Sequence, residues 1–145
     1  MAIRVRDAQL DDAPALAELT TQLGYPVSAD ELRPRLTQLL DDEASRILVA
    51  VEEADLPVGW LHVMIHRSLE SLASVRIGGL VVDERYRSGG IGRQLLAAGE
   101  AWARERGVAR MTLYSRQTRE RAHRFYGREG YRIAKCSYML EKDLG

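Results

Sequence analysis

Leu80-Val81-Val82-Asp83-Glu84-Arg85-Tyr86-Arg87-Ser88-Gly89-Gly90-Ile91-Gly92-Arg93 is the stretch that decides how this chain is read. An apolar run, Val75 to Val82, has the character of a strand with Gly78-Gly79 in its middle. An acidic turn follows, then a glycine-rich corner. Beyond it Ile91, Leu95, Gly99, Trp102 and Ala103 fall at helical spacing as far as Arg106, with Gly107 as a stop. A glycine corner at a helix start gathers unpaired backbone N–H groups beside the positive end of the helix dipole, an arrangement suited to phosphate.

Two familiar phosphate patterns fail here. A Walker A loop requires Lys and Ser or Thr after its last glycine, but Arg93 and Gln94 follow Gly92. A dinucleotide fingerprint requires a third glycine, which is absent, and an acid at the end of the next strand, which Met111–Ser115 does not supply. The spacing that does hold is R-x-x-G-x-G, met by Arg87, Gly90 and Gly92.

The flanking sequence builds a mixed α/β pattern. Ile3–Arg6 alternates as a short strand, and Asp11 or Asp12 opens a helix carrying Leu16, Leu19 and Leu23 and stopped by Gly24. Ser28 and Glu31 have capping-box spacing ahead of Leu32, Leu36, Leu39 and Leu40. Ile47–Val51 and Val58–His66 read as strands joined by a polar connection, and Thr118–Glu129 as a late helix. Tyr131–Leu140 reads as a final strand. The order β-α-α-β-β-β-α-β-α-β, without repeats or linkers, predicts one domain over residues 1–145 with a mostly antiparallel sheet flanked by helices.

Composition narrows the function. The 145 residues carry 21 basic and 21 acidic side chains, which argues against nucleic acid as a bulk electrostatic partner. No apolar run reaches the roughly 18–20 residues of a membrane span. The N-terminus lacks a signal-peptide core. A lone cysteine, Cys136, allows no intrachain disulfide and suggests no metal site. The expectation is a soluble, cytoplasmic protein.

Two blocks together carry a resemblance. The segment Leu80–Gly92 is similar to the acetyl-CoA motif of the GNAT N-acetyltransferase superfamily. Ala122-His123-Arg124-Phe125-Tyr126, followed by Gly130-Tyr131, resembles that family's A-x-x-F-Y-x-x-x-G-[FY] segment. The resemblance implies the acyl-CoA N-acyltransferase fold and acetyl-CoA as cosubstrate, with no metal. It also implies direct acetyl transfer to a primary amine, read as that of a small molecule. A peptide amine acceptor and a non-catalytic CoA-binding sensor are the alternatives. A homodimer is common among such small domains in the family.

The resemblance also assigns roles. Arg87, Ser88, Gly89, Gly90, Ile91, Gly92 and Arg93 would hold the pyrophosphate. The backbone of Leu80, Val81 and Val82 would pair with the pantetheine arm as an added strand, and the Val82 N–H would face the carbonyl oxygen. Tyr126 matches the tyrosine that protonates the departing thiolate. One departure stands out: many relatives carry a glutamate base two residues before the strand leucine, where this chain has Gly78. Glu70, His62, His66, Asp83 and Glu84 are the candidates to replace it, with Glu70 in the preceding loop as the working assignment. Arg119 stands where an asparagine is frequent, and His123 lies in the second block without an assigned role.

Overall fold

A computed structural model describes residues 2–145. The chain divides into two compact units, Met1–Tyr114 and Ser115–Gly145.

The first unit is a sheet with helices on both faces. Its strands are β1 (Arg4–Asp7), β2 (Ser45–Val51), β3 (Pro57–His66), β4 (Ser74–Val82) and β5 (Met111–Leu113). They lie side by side in chain order. The first four pair antiparallel, and β5 joins β4 in parallel. Alternation along the strands sends side chains to opposite faces. Ile47, Val49 and Val51 pack with Leu16 of α1 (Ala13–Leu23) and Leu36 of α2 (Ala29–Leu40), and Trp60 borders that cluster. Leu61 and Val63 face the other way, toward Gly99 of α3 (Ile91–Glu105). A Cβ at Gly99 would stand 2.7 Å from Leu61 Cδ2, so α3 lies close enough to the sheet that a side chain there would displace Leu61. Leu61, Leu95 and Leu96 are fully buried there, each worth roughly 1.5–3 kcal/mol of apolar burial.

Local signals in the sequence are used as expected. Ser28 Oγ accepts from the Glu31 N–H and Glu31 Oε1 accepts from the Ser28 N–H, both at 3.1 Å. Gly24 takes φ +115° and ends α1. Asp12 does something the sequence did not announce. Its carboxylate does not cap α1 itself. It accepts two 2.9 Å bonds from the Arg6 guanidinium and one from the Gln9 N–H at 2.8 Å. This buried pair ties β1 to the start of α1.

The second unit contains α4 (Glu120–Arg128), within the expected Thr118–Glu129. The expected final strand is not formed: residues 131–145 carry neither helix nor strand and are almost all exposed. Tyr131–Leu140 contains residues that a strand accommodates, but a strand also needs a neighbour for its N–H and C=O groups. From Arg132 onward no backbone bond of that kind is present. Strand β5 is likewise shorter than Met111–Ser115.

Candidate active site

The first unit positions its expected site residues through an interruption in β4. Register runs His62↔Gly79 and then Val63↔Ile77, so Gly78 is an extra residue, a β-bulge. Beyond the bulge, among the described strands of this unit, β4 has one neighbour. It pairs with β3 as far as Val82, but β5 accompanies it only over Val75–Ile77. The Asp83 N–H donates to Val58 O at 2.8 Å, which fixes which residues face β3. By alternation, Val81 points its N–H and C=O toward β3, while Leu80 and Val82 point theirs outward. Within this unit, Leu80–Val82 is thus an open strand edge with two outward donors. Arg87 Nε reaches the Val82 carbonyl at 3.4 Å, on that same outward side.

The edge leads directly into the glycine corner. A short 3-10 turn (Glu84–Tyr86) is held by the Asp83 carboxylate. That group accepts from the Arg85 N–H at 3.0 Å and from Arg85 Nε and Nη2 at 3.2 and 2.8 Å. Arg85 keeps the buried Asp83 carboxyl below the usual carboxylate range. A carboxylate engaged in this way supports the turn and is poorly suited to take up protons. The Glu84 N–H donates to Gln22 of α1 at 3.1 Å, and Tyr86 reaches Glu52 at 3.4 Å. The corner after it therefore projects from a braced base.

Ser88 and Gly90 both take the left-handed conformation, at φ +69° and +79°. Left-handed residues interleaved in a turn bring successive N–H groups onto one concave side. Gly90 is the N-cap of α3, and no carboxylate lies in the first turn of that helix to occupy its N–H groups. Arg87, Ser88, Gly89 and Gly90 are exposed; Ile91 is buried and anchors the helix start in the core. These features fit an anionic group of pyrophosphate type.

The bulge determines the remaining geometry. A Cβ at Gly79 would lie 2.7 Å from the Trp60 ring, and a Cβ at Gly78 would lie 2.8 Å from His62 Nδ1 and from Met64 Cε. Both glycines therefore turn the same face of the sheet toward side chains of β3. His62 is half-buried, burial lowers its pKa from the ordinary histidine value, and its Nε2 is enclosed without a hydrogen-bond partner. Arg76 and Thr112, on the same face, also hold enclosed polar atoms without partners, and Arg76 lies over the Tyr114 ring at 5.0 Å. His66 is half-buried opposite Ser74, and Glu70 lies exposed in the loop between β3 and β4. No sequence signal placed His62 against Gly78, because strand register alone brings them together.

In the second unit, Tyr126 stacks edge-on with Phe125 and Tyr131 at centroid distances of 5.1 and 5.5 Å. Burial pushes its hydroxyl up to about 12, against a smaller opposing effect of Arg119. The phenol thus stays protonated at neutral pH. His123 is half-buried on the same helix, and Cys136 is exposed. Among the described residues no group of three or more His, Cys, Asp or Glu side chains is placed to hold a metal ion, and no helix is long and apolar enough to cross a membrane.

Comparison with known proteins agrees with this geometry. The model of the Acetyltransferase (GNAT) family matches residues 12–131. The aminoglycoside N(6′)-acetyltransferase type 1 of Stenotrophomonas maltophilia is 32% identical over 123 residues, covering 82% of this chain and 79% of that protein. The mycothiol acetyltransferase of Salinispora tropica is 37% identical over 107 residues, or 71% of this chain, which spans only 33% of that longer protein. The crystal structure of an aminoglycoside antibiotic 6′-N-acetyltransferase from Acinetobacter baumannii shares the fold, with a TM-score of 0.87 at 16% identity, covering 99% of this chain and 100% of that one. The open edge of β4, the left-handed glycine corner and the family match converge: the chain belongs to the GNAT acetyltransferase family and is an acetyl-CoA-dependent N-acetyltransferase.

Proposed function

We propose that this enzyme acetylates the primary amine of a small molecule in the cytoplasm, with residues 1–145 working as one catalytic domain. The observation that carries the reading is the continuity of the open Leu80–Val82 edge with the corner at Ser88–Arg93. A ligand that is peptide-like at one end and pyrophosphate at the other suits both halves of that path. Similarity to an aminoglycoside acetyltransferase over four-fifths of the chain supports a small acceptor.

Acetyl-CoA supplies the activated acetyl group as a thioester. The N–H groups from Ser88 to Arg93 hold the pyrophosphate, with the charge of Arg87 and Arg93 beside them. The outward N–H groups of Leu80 and Val82 hold the arm and the thioester carbonyl between them. A backbone donor aimed at a developing oxyanion is typically worth roughly 3–4 kcal/mol of barrier. Tyr126 donates its proton to the sulfur. A hydroxyl near 12 facing a thiol of about 8.5 gives up its proton uphill by about 5 kcal/mol. Tyr126 therefore acts as the C–S bond breaks, while charge collects on sulfur, and not beforehand.

Thiol release from acetyl-CoA, measured with aminoglycosides, amino sugars, simple primary amines and peptides, tests the reading. Amine-dependent release with small amines is expected. Release with peptides alone assigns a peptide acceptor, and tight acetyl-CoA binding with no release on any amine makes the protein a sensor; either result overturns the proposal.

A further inference from the structure

The family's usual glutamate base is missing at Gly78, and the structure shows what fills its space. The Cβ that a side chain at 78 would carry falls 2.8 Å from His62 Nδ1 and 3.5 Å from Cε1. The imidazole of β3 and a side chain at position 78 thus compete for one volume. Gly78 is solvent-exposed and does not have a positive φ, so contact with the His62 imidazole and with Met64 Cε, also 2.8 Å away, and not backbone strain, is what opposes a side chain at the position. The bulge that presents it lies where β4 parts from β5, two residues before the outward N–H of Leu80. Of the two imidazole nitrogens, Nε2 is enclosed and Nδ1 faces the space over Gly78.

From this geometry we propose that His62 Nδ1 is the proton acceptor for the incoming amine, taking the role of the absent glutamate. The inference rests on the acetyltransferase reading above. As the amine nitrogen bonds to the thioester carbon and the C–S bond breaks, the nitrogen's proton passes to His62 and the sulfur takes one from Tyr126. Solvent then removes the proton from the imidazolium and restores the phenol, so the cycle closes without another reactant. An amine arriving as ammonium first yields its extra proton to solvent.

The surroundings keep the imidazole in its accepting form. Enclosure disfavours the imidazolium, and Asp42, ahead of β2, opposes this only in part. From β4 the charged group on that face is Arg76, opposite Met64. On β2 the residue opposite His62 is the apolar Ile47. Helix α1 brings one charged residue, Glu18, whose charge acts on Arg85. The imidazole is therefore neutral at pH 7 and charges only as pH falls below the ordinary histidine value near 6.5.

The test uses His62→Ala and the double variant His62→Ala/Gly78→Glu, with whichever small amine the wild type acetylates best. In His62→Ala, kcat should fall about 100-fold or more, with the acetyl-CoA Kd and the melting temperature close to wild type. The acidic limb of the kcat profile should disappear with it. Adding Gly78→Glu, for which His62→Ala removes the imidazole and the flexible end of Met64 swings aside, should recover at least 10-fold of kcat and restore an acidic limb in the carboxylate range. Independently of turnover, the imidazole NMR signals lost in His62→Ala should titrate below 6.5 in the wild type and shift on adding the amine. Undiminished kcat in His62→Ala overturns the assignment, as do His62 signals that titrate at the free-histidine value and ignore the amine. A loss that Gly78→Glu fails to repair, accompanied by weaker acetyl-CoA binding, also overturns it. If the wild type acetylates no amine, the acetyltransferase reading itself falls.

Discussion

Helix α3 begins and ends on a left-handed glycine, and this symmetry isolates the ligand-binding role of its first turn. Gly90 has φ +79° and Gly107 φ +73°, and a Cβ at either position would meet nothing within 4 Å. Alanine at either site therefore costs backbone strain without a clash, about 1–2 kcal/mol for a left-handed L-residue. With an unfolding entropy of about 2.1 cal/mol/K per residue, a chain of this size loses roughly 3–7 °C of Tm for such a cost. Gly90→Ala and Gly107→Ala should thus melt at similar temperatures, both below wild type. Their acetyl-CoA affinities should separate. Only the Gly90 end presents N–H groups to an anion. A strained cap that misaims a single charge-assisted bond there forfeits about 1.5–3 kcal/mol, or roughly 10- to 100-fold in Kd. Calorimetric titration of the two variants with acetyl-CoA is the assay, at one fixed salt concentration because the contact is ionic. Equal affinities for the two variants would refute the claim that the glycine corner cradles the pyrophosphate.

Two further predictions concern catalysis and stability. Tyr126→Phe should lower kcat at least several-fold, with CoA affinity and Tm preserved. Because burial holds the Tyr126 hydroxyl up at about 12, it stays protonated as pH rises through 9 and 10, so an alkaline limb there should persist unchanged in Tyr126→Phe. A kcat profile from pH 6 to 10.5 on both proteins checks this, and a limb that vanishes with the hydroxyl would contradict the assignment. Asp12→Ala removes the acceptor of two Arg6 bonds in a buried pair and should cost about 3 kcal/mol of unfolding free energy, read by urea denaturation. Arg6 keeps its 3.0 Å contact to Asp55, so each single variant leaves the guanidinium one partner, and the loss in Asp12→Ala/Asp55→Ala, which removes both, should exceed the two single losses added together.

The parts of this molecule legible in sequence are those decided locally. The Ser28–Glu31 box, the Gly24 stop and the glycine corner before α3 each follow from residues within a few positions of one another. The Gly78-Gly79 pair announced a bulge for the same reason: glycine in a strand marks a bulge or a close approach. What stayed hidden depends on register and tertiary partners. The pairing of His62 with Gly79 is set by the alignment of β3 against β4, which alternating side chains alone do not number. Asp12 looked like a helix cap because its neighbours in sequence form a helix; Arg6, from the adjacent strand, claims its carboxylate instead. Tyr131–Leu140 contains residues that a strand accommodates, but residue type carries no information on whether a neighbouring strand supplies the ladder. Glu70 drew notice as a carboxylate near the bulge in sequence, whereas the side chain against Gly78 in space comes from His62, sixteen positions earlier.

The central claim is that the Leu80–Val82 edge and the Ser88–Arg93 corner together form the acetyl-CoA site. A crystal structure with CoA bound tests it most directly. The account predicts pyrophosphate oxygens accepting hydrogen bonds from backbone N–H groups between Ser88 and Arg93, and a pantetheine arm paired with the outward groups of Leu80 and Val82. A CoA molecule seated elsewhere, with that corner and edge facing water, would contradict it.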